Sequence, residues 1–140
     1  MGANYRGPLE DRLAIRELME SYADAVNRCD KALWASLWAE DSHWDLSHYP
    51  ELGIVSGKQA VVDLWASAMP HYPKLSFMLT PGMIRVDGDT AEARTYFSEV
   101  YEEPGTGRDK RARACYNDRL VKRDGEWLFQ TRVFSIIHQT

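Results

Sequence analysis

The stretch from residue 17 to residue 46 constrains the fold more than any other part of the chain. Its first part continues an apolar stripe that begins at Leu9 and recurs at helical spacing. Asp30 suits the start of a second, aromatic-rich helix over residues 31–38, because its side chain can accept first-turn amide hydrogens. Residues 42–46 then read as a strand. The members of the stripe after Leu9 are Ile15, Leu18, Met19, Tyr22, Ala25, Val26 and Cys29.

The middle of the chain contains a loop and a third helix. Residues 47–57 (SHYPELGIVSG) are rich in turn-forming types and are interpreted as a loop over the mouth of a pocket. Ser56 and Gln59 match a capping box, in which the two side chains bond each other's backbone amides. The helix that follows carries Val61, Leu64, Trp65 and Ala68 on one face and ends at Pro70.

The rest of the chain is rich in strands. Four are predicted over residues 75–86, 90–102, 111–123 and 126–137, with a bulge at Pro81-Gly82 and glycine-containing turns between them. Helices followed by an antiparallel meander predict an α+β fold, with one curved sheet packed on the helices.

Length and composition favour an ordinary small domain. The 140 residues are expected to form a single domain over 1–140, with residues 1–8 as a loose lead-in. A net charge of −4 gives no general attraction to nucleic acid or anionic membrane. The N-terminus does not resemble a signal peptide, no apolar run approaches the ~20 residues of a membrane span, and two isolated cysteines suit a reducing compartment. We therefore expect a cytoplasmic protein without nucleic-acid or membrane partners.

The strand over residues 90–102 carries an inward carboxylate. Ala91 and Ala93 alternate with polar residues, so the odd-numbered positions should face the core, and Glu99 is one of them. An unpaired buried charge is costly, and carboxylates with shifted pKa values in clefts are common acids and bases. The alternative is a structural ion pair with Arg119 or Arg132.

Two polar clusters are given structural interpretations. His43, Asp45 and His48 lack the further spaced ligand that zinc sites show, so we expect no metal site there. The basic run over residues 108–113 has no nucleic-acid motif around it and is interpreted as a solvated hairpin, with guidance of an anionic substrate as the lesser alternative.

Three segments resemble a known family. The strings YADAVNRCDKALWASLWAEDSHWDL, SGKQAVVDLW and YNDRLVKRDGEWLFQTRVF are similar to the SnoaL-like branch of the nuclear transport factor 2-like superfamily, and the resemblance covers residues 9–136. That branch includes polyketide cyclases, scytalone dehydratase and hexachlorocyclohexane dehydrochlorinase. The resemblance implies a cone-like, strongly curved mixed sheet wrapped around three N-terminal helices, with an apolar pocket between them. It also implies a homodimer or homotrimer.

The resemblance also marks site residues. The catalytic Asp and His of the dehydratase and dehydrochlorinase fall at Asn27 and Phe77, neither of which can take a proton. Arg132 matches an active-site arginine of the dehydrochlorinase, Tyr22 stands at the position of its lysine, and Tyr116 at an inward position used for substrate contact.

These observations predict a cofactor-independent lyase or isomerase acting on a small hydrophobic, aromatic hydroxylated compound. Dehydration, retro-aldol cleavage or cyclisation would each fit. Glu99 is the expected base and Arg132 the stabiliser of negative charge. The remaining catalytic residues are Tyr22, Tyr116 and Asn27, and the substrate-binding residues are Trp44, His48, Tyr49, Trp65, Phe77, Phe97, Tyr101, Asp118 and Phe134. The alternative is a non-catalytic ligand-binding or assembly module of the same fold.

Overall fold

The computed structural model of the protein describes residues 4–140. Within those residues, three helices, one short 3-10 helix and seven strands follow one another. They are β1 (Tyr5–Arg6), α1 (Leu9–Arg28), α2 (Lys31–Ser36), β2 (Trp38–Leu46), β3 (Gly53–Ser56), α3 (Lys58–Ala68), the 3-10 helix Met69–His71, β4 (Ser76–Asp87), β5 (Thr90–Glu102), β6 (Asp109–Arg123) and β7 (Glu126–Gln139).

The strands form one open, curved sheet in the order β1-β4-β5-β6-β7-β2-β3. The pairs β1–β4 and β2–β7 are parallel and the other four are antiparallel. Bulges bend the long strands, among them the register shift between Pro81 and Met83 that Pro81-Gly82 predicts. The expected α+β architecture, with a curved mixed sheet around the N-terminal helices, is confirmed.

The first two helices lie where the apolar stripe places them. The stripe of α1 is buried from Ile15 to Val26, whereas its two predicted ends, Leu9 and Cys29, are exposed. The helix ends where Cys29 adopts a left-handed conformation with φ 52°. Asp30 caps α2 as predicted, its Oδ1 accepting the amide hydrogen of Leu33 at 3.0 Å. The second helix is shorter than expected, because Trp38 already pairs with Phe129 as the first residue of β2.

The segment over residues 47–57 is only partly a loop, which corrects the sequence interpretation. Its last residues form β3, in which Ser56 pairs with His43 of β2. Ser56 Oγ bonds His43 Nδ1 at 2.9 Å instead of closing a capping box, and the helix cap is Gly57 without a side-chain bond. Cross-strand pairing therefore takes the hydroxyl that the capping box needed.

The predicted lead-in is also partly ordered. Tyr5 and Arg6 pair with Ile84 and Arg85 of β4, so residues 5–6 belong to the sheet. Residues 1–3 of the predicted lead-in lie outside the described residues.

The strand β5 has the predicted bounds and the predicted alternation. Ala91, Ala93, Thr95 and Phe97 are buried on its inner face.

Along residues 4–140, no helix is long and apolar enough to cross a membrane.

Candidate functional site

A cavity of about 250 Å³ opens between the helices and the inner face of the sheet. Nine of the predicted site residues line it: Tyr22, Trp44, Tyr49, Trp65, Phe77, Glu99, Tyr101, Tyr116 and Phe134. The remaining lining residues are Val26, Leu46, Leu52, Leu64, Ala68, Met69, Tyr72, Leu75, Ala112, Ile136 and Gln139. The lining is therefore mainly apolar and aromatic, with few polar groups.

A chain of hydrogen bonds joins three elements in the wall of the cavity. Trp44 Nε1 of β2 donates to the hydroxyl of Tyr116 on β6 at 3.2 Å. That hydroxyl lies 3.3 Å from the hydroxyl of Tyr22 on α1. Two phenols carry two hydrogens, and their mutual bond uses one of them. The pair therefore keeps one phenolic hydrogen that it can donate to a ligand oxygen.

Both phenols are held in the protonated form. Burial raises the pKa of Tyr22 and raises that of Tyr116 well above its ordinary value. The neighbouring Arg132 opposes the rise at both residues without reversing it. Each hydroxyl is thus a hydrogen-bond donor rather than a base near neutral pH.

A buried ion pair lies behind these rings. Arg132 is 1% exposed and binds Asp118 through two hydrogen bonds, Nε to Oδ1 at 2.8 Å and Nη2 to Oδ2 at 3.0 Å. Its guanidinium carbon lies 4.4 Å from the ring centre of Tyr22, 3.9 Å from that of Tyr116 and 4.0 Å from that of Phe129. Such a cation over aromatic faces is held by the ring quadrupoles.

Neither member of the ion pair lines the cavity, so direct contact with a ligand is not the role that their positions support. Burial raises the pKa of Asp118, and the bonds from Arg132 oppose that rise. Burial acts to lower the pKa of Arg132, but the Asp118 carboxylate together with Tyr22 and Tyr116 outweighs it, and the net direction is upward. Arg132 Nη1 is buried and has no hydrogen-bond partner within residues 4–140.

Glu99 lines the cavity on the face that the alternation of β5 predicts. Neither expected arginine pairs with it, since Arg132 binds Asp118, and no side chain within the described part of the chain forms a salt bridge with it. Desolvation alone raises the pKa of Glu99 from 4.5 to about 7. The carboxyl is therefore poised to gain or lose a proton near neutral pH.

Asn27 ties the end of α1 to β4. Its Oδ1 accepts the backbone amide hydrogen of Phe77 at 2.7 Å, and its Nδ2 donates to the backbone carbonyl of Phe77 at 2.8 Å. The side chain does not line the cavity, and its amide already serves the backbone. The predicted orientation of a substrate oxygen by Asn27 gains no support from this placement.

Two of the predicted aromatic contacts also lie outside the lining. Phe97 is stacked between Phe77 and Tyr116, with ring centres at 4.6 and 5.0 Å, and supports them from behind. His48 is exposed and packs edge-on against Tyr49 and Phe134.

Sequence reasoning missed two polar lining residues. Tyr72 follows the 3-10 helix and packs edge-on against Tyr101 at 5.6 Å. Gln139 Nε2 donates to the Tyr101 hydroxyl at 3.2 Å, because β7 continues to Gln139 instead of ending at residue 137. Only the full length of β7 would have placed Gln139 in the lining. The sequence pattern does not predict that length, because the last residues of the strand are polar.

Asp45 and His43 bond neighbouring protein groups. Asp45 Oδ1 accepts the backbone amide hydrogen of Ser47, and His43 bonds Ser56. Within residues 4–140, no group of three or more His, Cys, Asp or Glu side chains is arranged to hold a metal ion.

Known proteins share this fold and part of this sequence. The SnoaL-like domain family matches residues 7–133. An uncharacterized protein of Mycobacterium tuberculosis is 30% identical over 87 residues, which are 61% of this chain and 57% of that protein. The chain thus spans little more than half the length of the curated relatives that it matches.

Solved structures agree in fold over most of the chain. The hexachlorocyclohexane dehydrochlorinase LinA-type3 of Novosphingobium barchaimii has a TM-score of 0.81 at 20% identity, covering 94% of this chain and 90% of that one. A protein of Novosphingobium aromaticivorans provisionally named a scytalone dehydratase has a TM-score of 0.83 at 22% identity, covering 94% and 87%. These similarities establish the fold of the nuclear transport factor 2-like group. With its family model matched over nearly the whole length, the chain belongs to the SnoaL-like domain family.

Proposed function

We propose that the protein is a cofactor-independent lyase or isomerase acting on a small, hydrophobic, aromatic hydroxylated compound. One observation carries the proposal: a carboxyl with a pKa near neutrality, Glu99, shares an apolar cavity with a pair of protonated phenols. Convergent polar groups in an aromatic pocket are the usual arrangement of a small-molecule site.

The pKa directions assign the roles of base and acid to different residues. Glu99, once ionised, can take a proton from carbon next to the departing group. The spare phenolic hydrogen of Tyr22 and Tyr116 can then be donated to the oxygen on which negative charge develops. In a dehydration, the carbon loses its proton to Glu99, the hydroxyl leaves as water with the phenolic proton, and solvent returns the proton from Glu99 to the phenol.

The role of Arg132 in this proposal is indirect. Its charge lies against the faces of both tyrosine rings and opposes the rise in their pKa values. A phenol under that influence gives up its hydrogen more readily than an isolated buried phenol does. Asp118 holds the guanidinium in place through its two hydrogen bonds.

The test is turnover of a panel of hydroxylated aromatic compounds, followed by chromatography and mass detection. Glu99→Gln should lower kcat/KM by about 10²–10⁴-fold, the usual contribution of a general base. Glu102→Gln is the matched control, because Glu102 lies on the same strand and pairs with Lys74 at the surface. Equal turnover by the wild type and Glu99→Gln would disprove the proposed base.

A second function is favoured by a separate observation. The positions at which the resemblance expects a catalytic Asp and His hold Asn27 and Phe77, and the side-chain amide of Asn27 bonds the backbone of Phe77. A non-catalytic ligand-binding module fits that replacement. Saturable binding of the same compounds without any turnover would favour this function over the lyase.

A further inference from the structure

The charges that face the cavity are of one sign. Over residues 4–140, the lining includes the carboxylate of Glu99 but no lysine, arginine or histidine. The nearby guanidinium of Arg132 lies behind the wall, and Asp118 already neutralises it. An ionised Glu99 therefore leaves the cavity with an uncompensated negative charge.

Aromatic rings surround the outer part of the same cavity. Tyr72 and Tyr101 pack edge-on with ring centres 5.6 Å apart, and Tyr49 is stacked on Phe134 at 5.7 Å. All four line the cavity together with Glu99. The face of an aromatic ring carries partial negative charge, so these rings add to the attraction for a cation and to the exclusion of anions.

We propose that the cavity binds an organic cation, a small apolar molecule that carries a protonated or quaternary nitrogen. The nitrogen would lie beside Glu99 and the rings of Tyr49, Tyr72 and Tyr101, and would supply the partner that the carboxylate lacks. The apolar part would fill the deeper cavity near Trp65. The inference uses the cavity of the proposed function, but it concerns binding and does not require turnover.

Two features make a cation a better occupant than an anion of the same shape. A carboxylate taken out of water regains stability only when an opposite charge or hydrogen-bond donors replace its hydration. Cation–π attraction grows as the site is desolvated, and this lining is mainly apolar. An anionic ligand would meet like charge at Glu99.

The experiment is calorimetric titration of the whole protein at pH 8 with three probes of one aromatic framework: benzyltrimethylammonium, benzyl alcohol and phenylacetate. We expect the cation to bind most tightly and phenylacetate most weakly. Glu99→Gln should weaken binding of the cation by about tenfold or more, as expected for the loss of a partly desolvated charge partner. The same substitution should change the affinity for benzyl alcohol by less than about threefold, since a neutral probe loses no charge partner.

Two further variants complete the test. Glu102→Gln removes one negative charge from the same strand outside the cavity and should leave the affinity for the cation within about twofold, because surface charges are screened. Tyr101→Leu should weaken binding of the cation more than it weakens binding of the alcohol. The proposal is overturned if the cation binds no more tightly than the alcohol. It is also overturned if Glu99→Gln and Glu102→Gln weaken binding of the cation equally.

Failure of this proposal can be told apart from failure of the proposed function. Loss of turnover in Glu99→Gln without any preference for the cation would leave the base intact as a hypothesis and exclude the cation site. Preference for the cation with no turnover of any hydroxylated compound would support the cation site and contradict the proposed catalytic function.

Discussion

Asn27 and Phe77 are joined by two complementary hydrogen bonds, 2.7 and 2.8 Å long, which connect the end of α1 to the start of β4. An amide side chain suits both bonds because it presents one acceptor and one donor to a single backbone unit. A carboxylate could accept from the Phe77 amide but would repel the Phe77 carbonyl. The amide at this position thus has a structural use of its own.

Asn27→Asp should therefore destabilise the protein. It loses one partly buried hydrogen bond and places a charge against a carbonyl, which together cost about 1–3 kcal/mol. Urea denaturation at pH 7 measures the change in the free energy of unfolding. Asn117→Asp is the control, since Asn117 is exposed on β6 and should show no comparable loss. A stable Asn27→Asp variant would show that the two hydrogen bonds between Asn27 and Phe77 contribute little to stability.

The stability of the protein should depend on pH through Glu99. Between pH 4.5 and about 7 the unfolded chain loses this proton while the folded protein keeps it, so the free energy of unfolding falls as pH rises. This loss of stability is absent below pH 4.5 and complete above about pH 7. At about 1.4 kcal/mol per pKa unit the limit is about 3 kcal/mol, and partial exposure of the side chain should reduce it to about 1–2 kcal/mol.

Glu99→Gln should remove this dependence. Denaturation of the wild type and the variant at pH 5 and pH 8 would show the variant gaining stability relative to the wild type at the higher pH. If the difference between them is the same at both pH values, the Glu99 pKa is not raised in the folded protein.

Asp118→Asn should destabilise the protein strongly. It leaves the Arg132 charge buried with half of its bonds and no counter-ion, a situation that costs about 3–5 kcal/mol. Replacing both partners, as Asp118→Leu with Arg132→Met, should restore much of the loss, because no buried charge remains. Thermal and urea denaturation measure both variants.

A matched surface pair provides the control for that experiment. Arg123 binds Asp41 through two hydrogen bonds of 2.6 and 3.0 Å, so its geometry is like that of the buried pair while its side chains are exposed. Asp41→Asn should cost much less than Asp118→Asn, because water replaces the lost contact. Equal losses would mean that burial does not govern the difference.

Tyr116→Phe should be more harmful to stability than Tyr22→Phe. The Tyr116 hydroxyl has two partners, and its removal leaves Trp44 Nε1 without an acceptor in a buried place. An unsatisfied buried donor costs about 1–3 kcal/mol, whereas loss of the bond that Tyr22 makes to Tyr116 costs about 0.5–1.5 kcal/mol. Denaturation of the two variants under one condition checks the order.

Periodicity predicts the elements of this fold that have strong patterns. The stripe of α1, the cap at Asp30 and the alternation of β5 are local features, and the structure has all three. The two short edge strands escape prediction, because residues 5–6 and 53–56 become strands only through partners far along the chain. Propensity carries little information where tertiary pairing decides the conformation.

The candidate site divides in the same way. Inward positions such as Glu99 and Tyr116 follow from alternation along one strand. The pairing of Arg132 with Asp118, by contrast, requires the register between β6 and β7, which no single segment encodes. Sequence reasoning allowed Arg132 to pair with Glu99, and the register gives it to Asp118, which faces it directly across the two strands.

The two ends of the open sheet have a consequence for handling the protein. A sheet that does not close exposes unpaired backbone groups at both edges, and long edges recruit further strands from other molecules. Here the outermost strands are only two residues (β1) and four residues (β3) long, so each edge offers a short template. Removing residues 1–8 would take away the two residues that pair with Ile84 and Arg85, lengthen the unpaired edge of the 12-residue β4 and should promote self-association.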